Sequence, residues 1–145
     1  MAKPYESWAS SEANRASMLG NRSRDTAPEL ALRRAVHAMG LRYRVATRPL
    51  KDLRRTADLV FPTERVAVEV LGCFWHGCPE HFRLPATNRG YWEPKIARNR
   101  ERDAELAERL AAEGWDLVVV WEHDDVAESA ERVRAAVLAR RPPKP

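Results

Sequence analysis

Cys73 and Cys78 are the only cysteines among the 145 residues of this chain, and four residues separate them. His76 lies between them, His81 follows closely, and His123 stands far along the chain directly after Glu122. Zinc takes four nitrogen or sulfur ligands in a tetrahedron, and a closely spaced set joined by one distant ligand staples a loop to a core. Cys73, Cys78 and His81 supply such a local set. His123 is the distant ligand, because it follows a strand-like run and strand ends carry loops toward sites. His76 is an alternative to His81 that spacing alone does not separate. Two cysteines in this setting, without a secretion signal, point to metal ligation rather than a disulfide. His37 has no companion of the right kind nearby and reads as a partly buried helix residue.

A second constellation is acidic. Asp58 is flanked by Ala57, Leu59 and Val60, and an ionised carboxylate in an apolar strand is costly unless a metal or a partner compensates it. Metal-dependent hydrolysis of a phosphodiester needs such a carboxylate to hold a divalent cation against the phosphate. The structural alternative is a strand-end Asp bonded to backbone amides. Glu69 follows in the next apolar run. Alternation puts Val66, Val68 and Val70 on one face and Ala67, Glu69 and Leu71 on the other, which leaves open whether Glu69 faces solvent or a site.

The elements that must position these groups follow from periodicity. Thr26 opens a T-x-x-E capping box with Glu29, then Leu32, Ala35, Val36 and Met39 recur at helical spacing until Gly40 supplies a left-handed stop. Three extended stretches follow, at 41–45, 56–61 and 65–71, the last β-branched and alternating. Residues 72–92 fit neither period. A long polar helix is predicted over 93–113 with Ile96, Leu106 and Leu110 as apolar positions and Gly114 as its stop. Residues 115–121 form a buried strand, and Val126, Ala130, Val133 and Val137 mark a last helix. The order αβββαβα predicts an α/β fold with a mixed central sheet flanked by helices. One domain is expected over 24–140, with a zinc loop at 72–92, an N-terminal arm at 1–23 that contacts a partner, and a frayed tail at 141–145.

Lys and Arg outnumber Asp and Glu by 25 to 21. Arg22, Arg24, Arg33, Arg34, Arg42, Arg44, Arg48, Arg54 and Arg55 all fall early in the chain, an asymmetry that suits a polyanion such as nucleic acid. No apolar run nears the roughly 20 residues of a membrane span, and the N-terminal stretch lacks the hydrophobic middle of a secretion signal. A cytoplasmic, nucleoid-associated protein without membrane contact is the expectation.

The segments SRDTAPELALRRAVHAMGLRYRV, ADLVF, GCFWHGCPEH, YWEPKIARNRERD and GWDLVVVWEH occur in an order that resembles the very-short-patch repair (Vsr) mismatch endonucleases. GCFWHGCPEH is the specific part, and ADLVF alone is weak. The resemblance covers most of the domain. It implies a restriction-endonuclease-like core with a structural zinc loop, and Mg2+-dependent nicking of one DNA strand beside the thymine of a T:G mismatch, the lesion left by deamination of 5-methylcytosine. By the same analogy Asp58 holds Mg2+ with the backbone carbonyl of Val70, His76 is the general base, and Glu29 supports the site through water. Zinc then falls to Cys73, Cys78, His81 and His123.

Phe74 and Trp75, with Trp92 across the loop, resemble the family's aromatic wedge, and Met18 from the arm enters the base stack opposite. Unstacking costs less at a mismatch, so insertion favours damaged sites. Arg24, Lys95 and Asn99 are further DNA contacts, the last two lying one helical turn apart. The resemblance further implies a monomer that works on double-stranded DNA beside a mismatch-repair matchmaker protein. Two departures stand out: Leu71 replaces a residue that is ordinarily a polar His or Asp, and Glu69 stands where an apolar residue is expected. The competing readings are a nuclease of the same fold with relaxed mismatch preference, serving defence against foreign DNA, and a zinc-stabilised DNA-binding module without catalysis.

Overall fold

The computed structural model describes residues 25–73, 78 and 87–141. Met18, Arg24, Phe74, Trp75, His76 and His81 lie outside the described residues, as do the arm at 1–23 and most of the tail.

Helix α1 (Ala27–Ala38) begins where Thr26 Oγ1 accepts from the Glu29 N–H at 3.4 Å, with Pro28 in the first turn, where its missing N–H is no loss. The reciprocal half of the capping box is displaced by one residue, since the Glu29 carboxylate accepts from the Asp25 N–H at 2.7 Å rather than from Thr26. Gly40, at φ +88°, ends the helix as its position predicts. His37 differs from expectation, being exposed near the last turn.

Strand β1 (Arg44–Thr47) starts later than the extended stretch read at 41–45. Leu41 is drawn into the core before the strand begins, and the register that pairs Arg44 with Val60 and Thr47 with Ala57 sets the strand's limits. Strands β2 (Ala57–Phe61) and β3 (Val66–Leu71) form an antiparallel pair. Helix α2 (Arg89–Ala112) begins four residues before the expected 93 and carries Pro94 inside it. That proline cannot donate to the Gly90 carbonyl, a defect water can satisfy because both residues are exposed. Strand β4 (Asp116–Trp121) runs parallel to β3, and Asp125 caps α3 (Val126–Arg140) by accepting from the Glu128 N–H at 2.9 Å.

The sheet order is β1-β2-β3-β4, mixed as the long helical connection requires. Both faces are covered. On one side Leu59, Phe61, Val66, Val68, Val118 and Val120 pack against Leu32 and Val36 of α1 and Ala130, Val133 and Val137 of α3. On the other, Val60 and Ala67 meet Leu106 and Leu110 of α2. No helix among the described residues is long and apolar enough to cross a membrane.

Candidate active site and metal centre

Because β2 and β3 are antiparallel, the start of β2 and the end of β3 lie at one end of the sheet. A cleft of about 300 Å³ opens there. Asp58 of β2 and Glu69, Val70 and Leu71 of β3 line it, with Glu29 from α1, Arg55 and Thr56 ahead of β2, and Asn99, Arg102 and Asp103 from α2. The α2 residues arrive there for a helical reason. Trp92, Ile96, Asn99, Asp103, Leu106 and Leu110 recur at spacings of three and four along one stripe, which is apolar at both ends and polar where it crosses the acidic strand ends.

Asp58 Oδ2 accepts from the Val70 N–H at 2.6 Å, so one oxygen is engaged as the structural alternative expected. Burial nevertheless pushes the Asp58 carboxyl up to about 7, with Glu29 adding to the effect while the Val70 bond and Arg33 oppose it. Glu69 is 8 % exposed. The alternation left its direction open; the covering helix α2 makes its face an interior one. Burial pushes its carboxyl up to about 8, Asp58 adding and Arg55 opposing. Two arginines serve the remaining acids. Arg33 lies 3.2 Å from Glu29 and 2.7 Å from Asp25, and Arg55 lies 3.2 Å from Asp103. Carboxylates clustered this way suit a hard divalent cation, with Asp58 and Val70 of the same cleft among the groups able to hold it.

The parallel pairing of β3 with β4 builds the second centre. Leu71 is in register with Trp121, so Cys73 and His123, each two residues further on, leave the sheet at the same end. His123 Nδ1 lies 3.2 Å from Cys73 Sγ and 3.7 Å from Cys78 Sγ, and the three donor atoms lie within 4.8 Å of one another. His123 Nε2 faces the Asp124 carboxylate at 3.3 Å, the second contact that orients a ligating imidazole and fixes its tautomer. The Cys73 N–H donates to Glu122 at 2.9 Å and the Cys78 N–H to the Cys73 carbonyl at 2.9 Å. Burial, together with Cys78 and Glu122, pushes the Cys73 thiol up to about 12. A bound cation reverses that preference by taking the thiolate as ligand. Two sulfurs and an imidazole nitrogen converging in this way fit zinc, with one ligand still to be supplied.

Of the residues singled out from sequence, Glu29, Asp58, Val70 and Asn99 share the acidic cleft, and Cys73, Cys78 and His123 share the thiol centre. Lys95 sits over the Tyr91 ring, 4.8 Å from its centroid. Trp92 is 5 % exposed, so its indole offers little free surface to a base stack. Sequence reasoning missed Asp103, Arg55 and Arg33 and gave Glu69 little weight. The interrupted stripe on α2 is the signal that would have found Asp103, whereas the arginines carry none, because their partners are distant in sequence or shared with a helix cap.

A family model described as DNA mismatch endonuclease Vsr matches residues 9–81. Type II nicking enzyme V.NaeI of Lentzea aerocolonigenes is 42% identical over 118 residues, which cover 80% of this chain and 71% of the relative. Type II nicking enzyme V.XorIIP of Xanthomonas oryzae pv. oryzae is 45% identical over 114 residues, covering 78% and 82%. DNA mismatch endonuclease Vsr of Escherichia coli is 37% identical over 101 residues, covering 69% and 63%.

Proposed function

The chain belongs to the Vsr family of DNA mismatch endonucleases, and from that premise we propose that it nicks one strand of duplex DNA beside the thymine of a T:G mismatch, with Mg2+ in the acidic cleft. The observation that carries the proposal is the convergence of Asp58, Glu29 and the backbone of Val70 at one sheet end, next to the strand ends that lead to Cys73 and His123. That the chain is a DNA endonuclease removes the catalytically silent binding module from consideration.

In this reading the layered sheet is a restriction-endonuclease-like core, and residues 24–140 are one domain, with 1–23 as an arm that reaches DNA. Asp58 and the Val70 carbonyl hold Mg2+, which when bound neutralises charge on the scissile phosphate and lowers the cost of attack by water. Glu29, held by Arg33, orders water at the cleft. His76 takes the proton from the attacking water, a role open to a neutral imidazole at working pH. Cys73, Cys78, His123 and His81 hold a structural zinc, and a site closed by four protein ligands leaves no position for substrate. The zinc ligands bracket His76 in sequence, so their role is to position the general base. Phe74 and Trp75 unstack the mismatch from one side and Met18 from the other, while Arg24, Lys95 and Asn99 contact the DNA. The protein works as a monomer in the cytoplasm beside a mismatch-repair matchmaker.

The test is an Mg2+-dependent nicking assay on duplexes that differ only in carrying T:G, T:A or C:G at one position, with each strand labelled in turn. Cutting of the T-containing strand at T:G alone is expected. Equal cutting of all three duplexes would replace mismatch repair with a broader role such as defence against foreign DNA.

A further inference from the structure

Asp58 and Glu69 adjoin Leu59 and Val68, the last paired residues of β2 and β3 at this end, and both line the cleft. Like charges brought together on neighbouring strands destabilise a sheet. Arg33 and Arg55 act on this pair from a distance, but among the described residues neither Asp58 nor Glu69 has an arginine in direct ion-pair contact. Glu29 and Asp103, the cleft's other two carboxylates, each have an arginine at 3.2 Å. Asp58 has the Val70 N–H. Glu69 Oε1 is buried with no hydrogen-bond partner among the described residues, on a side chain that is 8 % exposed and lines the cleft.

A buried carboxylate oxygen without a partner, facing a second carboxylate, is costly unless an ion joins the two. Two ionised carboxylates without a direct ion-pair partner match the charge of one divalent cation, and an all-oxygen donor set selects Mg2+ or Mn2+ over softer metals. We propose that Glu69 is a second carboxylate ligand of the catalytic cation, shared with Asp58, so that the cleft binds a divalent ion before DNA arrives. This rests on the reading of the cleft as a hydrolytic metal site. It assigns to this chain's own Glu69 a role that the Asp58 and Val70 pair does not include.

The test is Mn2+ binding to the full zinc-containing chain without DNA, followed by the paramagnetic resonance signal of free Mn2+, for wild type, Glu69→Gln and Asp58→Asn. Glu69→Gln keeps the side chain's shape and removes its charge. It is expected to weaken Mn2+ binding by about tenfold or more and to raise the Mg2+ concentration for half-maximal nicking by a similar factor. Its melting temperature without Mg2+ should hold or rise, while the increment that Mg2+ adds to wild type shrinks, a change that a packing role alone would not produce. Wild-type Mn2+ affinity in Glu69→Gln, with binding lost in Asp58→Asn, overturns the role of Glu69 and leaves the metal reading intact. Undiminished binding in both variants, or none in wild type, overturns the metal reading itself. Should Glu69→Gln not fold, Glu69→Asp withdraws the carboxylate by one methylene; weakened Mn2+ binding is expected again, and unchanged binding refutes the assignment.

Discussion

Arg33 joins the α1 cap to the acidic cleft, and its removal tests how much the cleft depends on that link. The Arg33 side chain is 13% exposed and lies 3.2 Å from a Glu29 carboxylate that is only 5% exposed. Its other arm reaches Asp25 at 2.7 Å, where the partner is 43% exposed. The outer contact contributes little, about 0–1 kcal/mol, as exposed pairs do. The inner one is different, because Arg33→Ala strands a buried negative charge, and breaking a buried pair from one side costs about 3–5 kcal/mol. At about 2–4 °C per kcal/mol for a domain somewhat above this size, the melting temperature should fall by roughly 6–20 °C. Calorimetric unfolding of wild type, Arg33→Ala, Glu29→Gln and the double variant isolates the term. In the Glu29→Gln background the arginine substitution should cost about 2 kcal/mol less. A loss in Arg33→Ala below about 1 kcal/mol, additive with Glu29→Gln, would refute the reasoning and class the pair with exposed surface ion pairs. Arg33 also holds the Asp58 carboxyl down. The variant should therefore lose more nicking activity at neutral pH than at alkaline pH.

Asp58→Asn should reduce single-turnover nicking to background while DNA affinity, followed by fluorescence anisotropy, stays within a few-fold of wild type; equal cutting by the variant would refute the metal assignment. In Mg2+-free buffer the raised carboxyl of Glu69, at about 8 against an ordinary 4.5, means that the folded state holds its proton more tightly than the unfolded chain. Stability present at low pH is then lost progressively as pH climbs from about 4.5 through 8. Melting temperatures across that range should fall more steeply for wild type than for Glu69→Gln, and parallel curves would count against the placement. If the thiol centre holds zinc as proposed, Cys73→Ser should lower bound zinc measured by mass spectrometry and destabilise the chain, since a structural zinc contributes about 10–16 kcal/mol, comparable to the whole net stability of a domain. Asp124→Ala should weaken zinc affinity by about 10–100-fold through loss of the contact that orients His123; zinc retention equal to wild type under competition with a chelator would remove Asp124 from that role.

The order of elements and the cap of α1 were legible in the residues, because helix stops, capping hydroxyls and β-branched alternation act over four or five positions and need no distant partner. The thiol centre was nearly as legible. Cys73, Cys78 and His123 are rare residue types for which metal ligation explains the pattern, and the structure brings their donor atoms within 4.8 Å of one another. The limits of β1 and the start of α2 were less so, since Leu41 belongs to the core before its strand begins and Pro94 is tolerated where water meets the helix.

Composition and spacing by themselves determined the α/β class, the residue types of the thiol centre and an acid in an apolar strand, all consequences of short-range chemistry. Only the tertiary structure decided which way Glu69 faces. A strand's alternation defines two sides without saying which is covered, and here α2, packed through Leu106 and Leu110, closes the second side. The same packing carried Asp103 and Asn99 over the strand ends and paired Arg55 with Asp103, 48 residues away. Contacts at that separation are set by how the layers stack, not by any local pattern along the chain.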